Sequence, residues 1–280
     1  MKKAFLFILL AISLTSCEEV VNTLSGDSQI VQGLKEALRV GTDSAVHRLS
    51  AKGGYLDDAA VKIGLPEDAV TTFRAVQSIY AVPAVQTVMK AAGMDLTSDF
   101  ENVLITAFNE AAENAAPQAA NIFVSAITDM TIADGKTILF SSDTIAATKY
   151  LRTSTETKLT LAFSPVISNS MNNVHVGDYT ATTAWTFFAE QNNKLAEIAE
   201  KPAVKTALMI AQVTNSEGVS KITSTISAIK PVPTDLGDYV TGKALNGLFT
   251  KVGNQEHKIR TDATARVNKL LQDVFGQLDK

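Results

Sequence analysis

The chain has 280 residues, with 25 Lys and Arg against 29 Asp and Glu, a net charge of −4. The basic residues are scattered, so the balance disfavours nucleic-acid binding and argues for solubility rather than for any one partner. A lone cysteine excludes an intramolecular disulfide and a thiolate-rich metal site.

Lys2 and Lys3 precede an apolar run from Ala4 to Leu14 that closes on small residues and Cys17. A bilayer span needs about 18–20 apolar residues, so the shorter run reads as a cleaved signal peptide, residues 1–16, not a membrane anchor. Leu14-Thr15-Ser16-Cys17 resembles the bacterial lipobox. That resemblance implies a diacylglyceryl group on the Cys17 thiol, cleavage before it and acylation of the new amine. Each buried methylene contributes about 0.8 kcal/mol, and more than one acyl chain makes such an anchor effectively permanent. The competing reading is an ordinary secreted protein whose one cysteine follows the cleavage site. The expectation is a bacterial envelope protein, lipid-anchored at the outer membrane, with periplasmic and surface faces both open. Cleavage takes away two lysines and no acid, leaving 264 residues and moving the charge from −4 to −6. Glu18 and Glu19 either resemble sorting or surface-export signals or begin a polar tether, residues 17–28.

Residues 29–280 read as one helical domain. Ile30, Leu34, Ala37, Leu38, Gly41, Ala45 and Leu49 fall on one helical stripe, which Gly53-Gly54 ends. Residues 53–65 read either as a small β-hairpin or as an ordered loop. Pro66, followed by Glu67 and Asp68, opens a helix to about Tyr80, and Pro83 opens another ending at Gly93. Asp95 to Asp99 supplies caps for a longer helix whose buried face is Phe100, Leu104, Ala107, Phe108, Ala111 and Ala115. Pro117 then opens a helix with the stripe Ala119, Ile122, Phe123, Ala126, Ile127 and Met130.

Asp134-Gly135 and Ser141-Ser142-Asp143 punctuate a short apolar segment, with Asp143 an N-cap for the helix carrying Ala146 to Tyr150. Further helices are expected from Thr155 to about Met171 and from Asp178 to about Ala199. Pro202 breaks the second, and Ala203 to Lys230 reads as a helical pair with a turn at Ser216-Glu217-Gly218. Pro231-Val232-Pro233 is the clearest linker candidate. A helix through Tyr239, Val240, Ala244, Leu245, Leu248 and Phe249 follows, then a last one ending near Phe275-Gly276. The fold class is therefore all-α, a multi-helix domain of about ten helices with at most a small β-hairpin near residues 53–65.

Several spaced blocks resemble the domain-of-unknown-function 4197 family. They are Gly54-Tyr55, Lys62 to Pro66, Asn109-Glu110-Ala111-Ala112-Glu113, Ala126-Ile127 with Met130-Thr131, and Ala146 to Arg152. Asp238 to Phe249, Glu256 to Arg260 and Val274-Phe275-Gly276 complete the set. The resemblance implies a helical bacterial envelope protein, often a lipoprotein, and carries no activity with it. The chain departs from the usual pattern in a longer stretch between Trp185 and Asp235, and in Ser141-Ser142 where a glycine is more usual.

There is no Gly-x-Ser-x-Gly elbow, HExxH helix or glycine-rich dinucleotide loop. Gly135-Lys136-Thr137 mimics the end of a P-loop, but Met130 stands where the upstream glycine belongs. His47, His175 and His257 lack ligand-spaced partners, so no metal and no cofactor is expected. Phe108, Phe123, Trp185, Phe187 and Phe188 read as core. The lipidation residue is Cys17. The polar cluster to examine is Asn109 and Glu113, one helical turn apart and opposite much of the apolar stripe, with Lys243, Glu256 and Arg260; a Glu113–Arg260 ion pair is its expected centre. A buried network fixing helix register is the structural reading, a binding site the functional one. The leading function is a non-enzymatic envelope binding or structural module. Its expected partners are the membrane, through the Cys17 acyl chains, and an envelope protein or a small apolar ligand. The alternative is a carboxylate-dependent hydrolase using Glu113 and Glu256 as acid and base.

Overall fold

The computed structural model describes residues 16–80, 87, 100–176, 179–213, 226–227 and 229–279. Residues 1–15 of the signal peptide, the Pro83–Gly93 helix, the Asp95–Asp99 caps and the Ser216–Gly218 turn lie outside the described residues. The Cys17 side chain also lies outside them, although its backbone belongs to the first helix.

The fold is all-α. Helix α1 (Ser16–Ser50) is followed by α2 (Glu67–Tyr80), α3 (Phe100–Ala115), α4 (Ala119–Asp129) and α5 (Ile132–Leu139). Then come α6 (Ala146–Asn173), a strand pair of β1 (His175–Val176) and β2 (Tyr179–Thr180), α7 (Ala181–Glu200) and α8 (Pro202–Val213). Helices α9 (Gly237–Thr261) and α10 (Lys269–Phe275) complete the chain. Among the described residues, no helix is long and apolar enough to cross a membrane.

Helices α3, α6 and α9 pack together at the centre, and α1 lies across α4, α5, α9 and α10. The stripe on α1 is buried through Leu34, Ala37, Leu38, Ala45 and Leu49, as its spacing requires. On α3 and α4 the fully buried alanines 107, 111, 112, 115 and 119 let the axes approach closely, and Phe108 and Phe123 fill the space between. The Phe123 ring meets Phe249 of α9 edge-on, with centroids 5.9 Å apart. Burying each such aromatic contributes about 1.5–3 kcal/mol.

Four features differ from the sequence expectation. A short antiparallel pair lies at 175–180, where His175 faces Thr180, while residues 53–65 take the ordered-loop alternative and form no hairpin. Gly53 adopts φ +79°, the left-handed conformation that ends α1 and starts this loop. The segment between Asp134 and Leu139 is a helix, α5, opened by a capping box between Thr131 and Asp134. The helices expected around Ala146 and Thr155 are one, α6. Pro231-Val232-Pro233 is not a free spacer. Asn193 of α7 receives the Val232 N–H at 2.8 Å and donates to the Val232 carbonyl at 2.9 Å, while the Trp185 indole donates to the Pro233 carbonyl at 2.8 Å.

Candidate functional site

The loop between α1 and α2 has buried side chains, Tyr55, Val61, Ile63 and Leu65, but no regular hydrogen-bonding ladder. Turns within the loop pair some of its backbone groups, such as the Asp57 and Lys62 N–H, and the buried ones at Tyr55 and Ile63 take partners from elsewhere. Two side chains of α3 supply them. Asn109 accepts from the Ile63 N–H at 2.9 Å and donates back to the Ile63 carbonyl at 2.9 Å, so one amide closes both polar groups of one residue. The same Asn109 amide nitrogen donates to the Ile105 carbonyl at 2.6 Å. One turn further on, Glu113 Oε1 accepts from the N–H groups of Tyr55 at 3.2 Å and Leu56 at 3.4 Å.

Helix α9 holds the other side of this loop. The Tyr55 hydroxyl donates to the Ala244 carbonyl at 2.8 Å, and the Tyr239 hydroxyl donates to the Gly64 carbonyl at 2.9 Å. Gly247 is needed where the Tyr55 ring crosses α9, because a Cβ there would stand 2.7 Å from Tyr55 Cε1. Burial, with the Glu113 charge second, pushes the Tyr55 phenol far above its ordinary range, so it keeps the proton that it donates to Ala244. At the loop's exposed edge Lys251 pairs with Asp58, and that hydrogen bond holds the Asp58 carboxyl below its ordinary value.

A second set lies nearer the C-terminus of α9. Glu256 Oε1 accepts from the Ala147 N–H at 3.0 Å, and Oε2 accepts from the Thr148 N–H and hydroxyl, each at 2.7 Å. The carboxylate thus caps the first turn of α6, where the helix dipole favours negative charge. Asp143, expected to be that cap, accepts from the Ile145 N–H at 3.0 Å and pairs with Lys149. Arg260, one turn beyond Glu256, donates to Glu256 Oε1 at 2.9 Å and to the carbonyls of Leu139 at 3.0 Å and Ile138 at 2.9 Å. The guanidinium therefore sits on the carbonyl end of α5. One buried ion pair fastens the end of α5 and the start of α6 to α9, each charge matched to the helix end that it meets.

The expected Glu113–Arg260 pair does not exist. Its two members serve different levels of α9: from Ala244, beside the Glu113 loop, to Glu256 is twelve residues, or about 18 Å of helix. Asn109 and Glu113 are also not on a polar face, because α3 is buried on both sides of its stripe. Lys243 joins neither set. It is exposed, with its ammonium 5.6 Å from the centre of the Tyr239 ring. Sequence reading missed Tyr55 and Tyr239 as parts of the arrangement, although both stand in the family-like blocks. Phe187, read as core, is half-buried and stacks on Tyr179.

Two open concavities lie outside these fastenings. One, of about 400 Å³, sits between α6, α7 and the start of α9 and is bordered by Ser168, Thr182, Trp185, Glu190 and Asp235. The other, of about 330 Å³, lies between α1 and α9. Neither is bordered by Asn109, Glu113, Glu256 or Arg260. Among the described residues, no group of three or more His, Cys, Asp or Glu side chains is placed to hold a metal ion.

A family model described as a protein of unknown function (DUF4197) matches residues 24–184 and 177–276. No curated protein and no solved structure matches the chain.

Proposed function

This chain belongs to the DUF4197 family, and from that premise we propose that it is a non-catalytic binding module of the bacterial envelope, held at the outer membrane by acyl chains on Cys17. The observation that carries the non-catalytic half is the commitment of its buried carboxylates. Glu256 receives four hydrogen bonds and Glu113 two, every one from a group that fixes a loop, a helix end or the ion pair itself. An acid–base pair must instead exchange protons with a substrate in reach of both groups. The void that Glu256 borders measures about 10 Å³, room for roughly one water.

Support for the anchor comes from Lys2 and Lys3, the short apolar run and the Leu14-Thr15-Ser16-Cys17 sequence. With the buried polar groups used for structure, binding falls to the open concavities. The concavity between α1 and α9 is walled mainly by hydroxyl, amide and charged groups and suits a polar ligand, while the larger one adds Met171, Trp185 and Leu236 to its polar groups.

Intact mass of the protein extracted from native membranes tests this reading. The expected result is a chain beginning at Cys17 with the added mass of a diacylglyceryl group and an acyl chain, and loss of both in Cys17→Ala. A chain cut elsewhere, or an unmodified Cys17, overturns the anchor.

A further inference from the structure

We propose that the groove between α1 and α9 is a binding site for a phosphate-bearing anion. Its walls bring together Ser44 and Arg48 of α1 with Lys251, Asn254, His257 and Lys258 of α9. No carboxylate lines it, in a protein whose acids outnumber its bases.

Acids around the groove lie outside its lining. Asp58 pairs with Lys251 and feels the Arg48 charge. Asp43 faces Arg39. Asp262 accepts from the Thr264 N–H and hydroxyl, and feels the charges of Arg266 and Lys258. Arg48 and Lys258 form no ion pair among the described residues. Three permanent cations, Arg48, Lys251 and Lys258, set against Asp58 and Asp262 leave one positive charge before His257 is considered. A phosphate monoester carries about −1.5 to −2 at neutral pH, so its sign is complementary to that of the groove.

The groove is also organised in advance. The Lys251 side chain is only 10 % exposed and is held by Asp58, so its ammonium is fixed and keeps two further N–H donors. Arg48 offers the planar fork suited to two phosphate oxygens, and Lys258 a second charge opposite. Ser44 and Asn254 add neutral donors for a hydroxylated head group. The volume of about 330 Å³ falls at the small end of ligand sites, about 300–1,000 Å³. That suits a phosphate carrying glycerol or a single sugar. The phosphate can be that of a soluble ester or of a lipid head group.

The inference rests on the binding-module reading but not on Cys17, so its test uses the mature-length chain carrying Cys17→Ala. Glycerol 3-phosphate is titrated by NMR, and sedimentation is measured with vesicles of phosphatidylglycerol and, separately, phosphatidylcholine. Saturable binding of the ester, weakened about tenfold or more in Arg48→Gln/Lys258→Gln, supports a soluble ligand. Sedimentation with phosphatidylglycerol vesicles alone, lost in the same variant, supports a lipid head group. Lys158→Gln/Lys194→Gln removes equal charge from other exposed positions and should bind like the unsubstituted chain, with all melting temperatures unchanged. No binding to either probe, or equal loss in both double variants, overturns the proposal. Either result leaves the mass test of the anchor untouched.

Discussion

Glu256→Ala should lower the stability of the folded chain by about 3–5 kcal/mol, the cost of breaking a buried ion pair from one side. The Glu256 and Arg260 side chains are 5 % and 4 % exposed, so little solvent screening reduces that figure. The substitution leaves Arg260 without its carboxylate, though still bonded to the Ile138 and Leu139 carbonyls. It also strips the Ala147 and Thr148 N–H groups and the Thr148 hydroxyl of their acceptor. Three buried donors and one buried cation thus lose a partner together. For a chain of this size each kcal/mol moves the melting temperature by roughly 2–4 °C, so a fall on the order of 10 °C is expected in a thermal scan. Glu156→Ala, which removes only the half-exposed partner of Arg152, should move it by about 2 °C or less.

Asn109→Asp is expected to cost about 3 kcal/mol or more, although the two side chains have nearly the same shape. Asn109 is fully buried and works as both donor and acceptor. A carboxylate keeps the acceptor for the Ile63 N–H but sets an oxygen against two carbonyls, Ile63 at 2.9 Å and Ile105 at 2.6 Å. The charge has no cation beside it, so the group must either ionise without a partner or take up a proton. Urea unfolding should show a lower midpoint at unchanged slope. Asn114→Asp, on the same helix but exposed, should leave the midpoint within measurement error. Equal behaviour of the two would mean that Asn109 does not clamp the loop.

The helical stripes were legible because burial on α1, α3 and α4 follows apolar spacing. Other elements were not, for identifiable reasons. In α6 the stretch between the two expected helices is Thr153-Ser154-Thr155, and each hydroxyl bonds back to the carbonyl four residues earlier, at Lys149, Tyr150 and Leu151. The helix passes through without interruption. Helix α5 was hidden by Asp134-Gly135, read as punctuation, while the capping box from Thr131 to Asp134 was the signal that could have found it.

The polar residues themselves were identified, but their partners were not. Side chains invite pairing with other side chains, whereas Glu113 and Glu256 mainly meet backbone amides of Tyr55, Leu56, Ala147 and Thr148, which leave no mark in residue type. The anion groove was illegible for a related reason. Arg48, Lys251 and Lys258 are dispersed along the chain, and only the packing of α1 on α9 gathers them. His257, which has no ligand-spaced partner in the sequence, is exposed and lines that groove.

Amide hydrogen exchange on the mature chain tests most directly whether these polar residues are fastenings. The N–H groups of Tyr55, Ile63, Ala147 and Thr148 lie in a loop or a first helical turn, where exchange is ordinarily fast because no regular partner exists. Slow exchange at all four, with Tyr55 released in Glu113→Ala and Ala147 and Thr148 released in Glu256→Ala, is the expected result. Free exchange at these amides in the unsubstituted chain would contradict it, and would return Glu113 and Glu256 to the pool of groups available for chemistry.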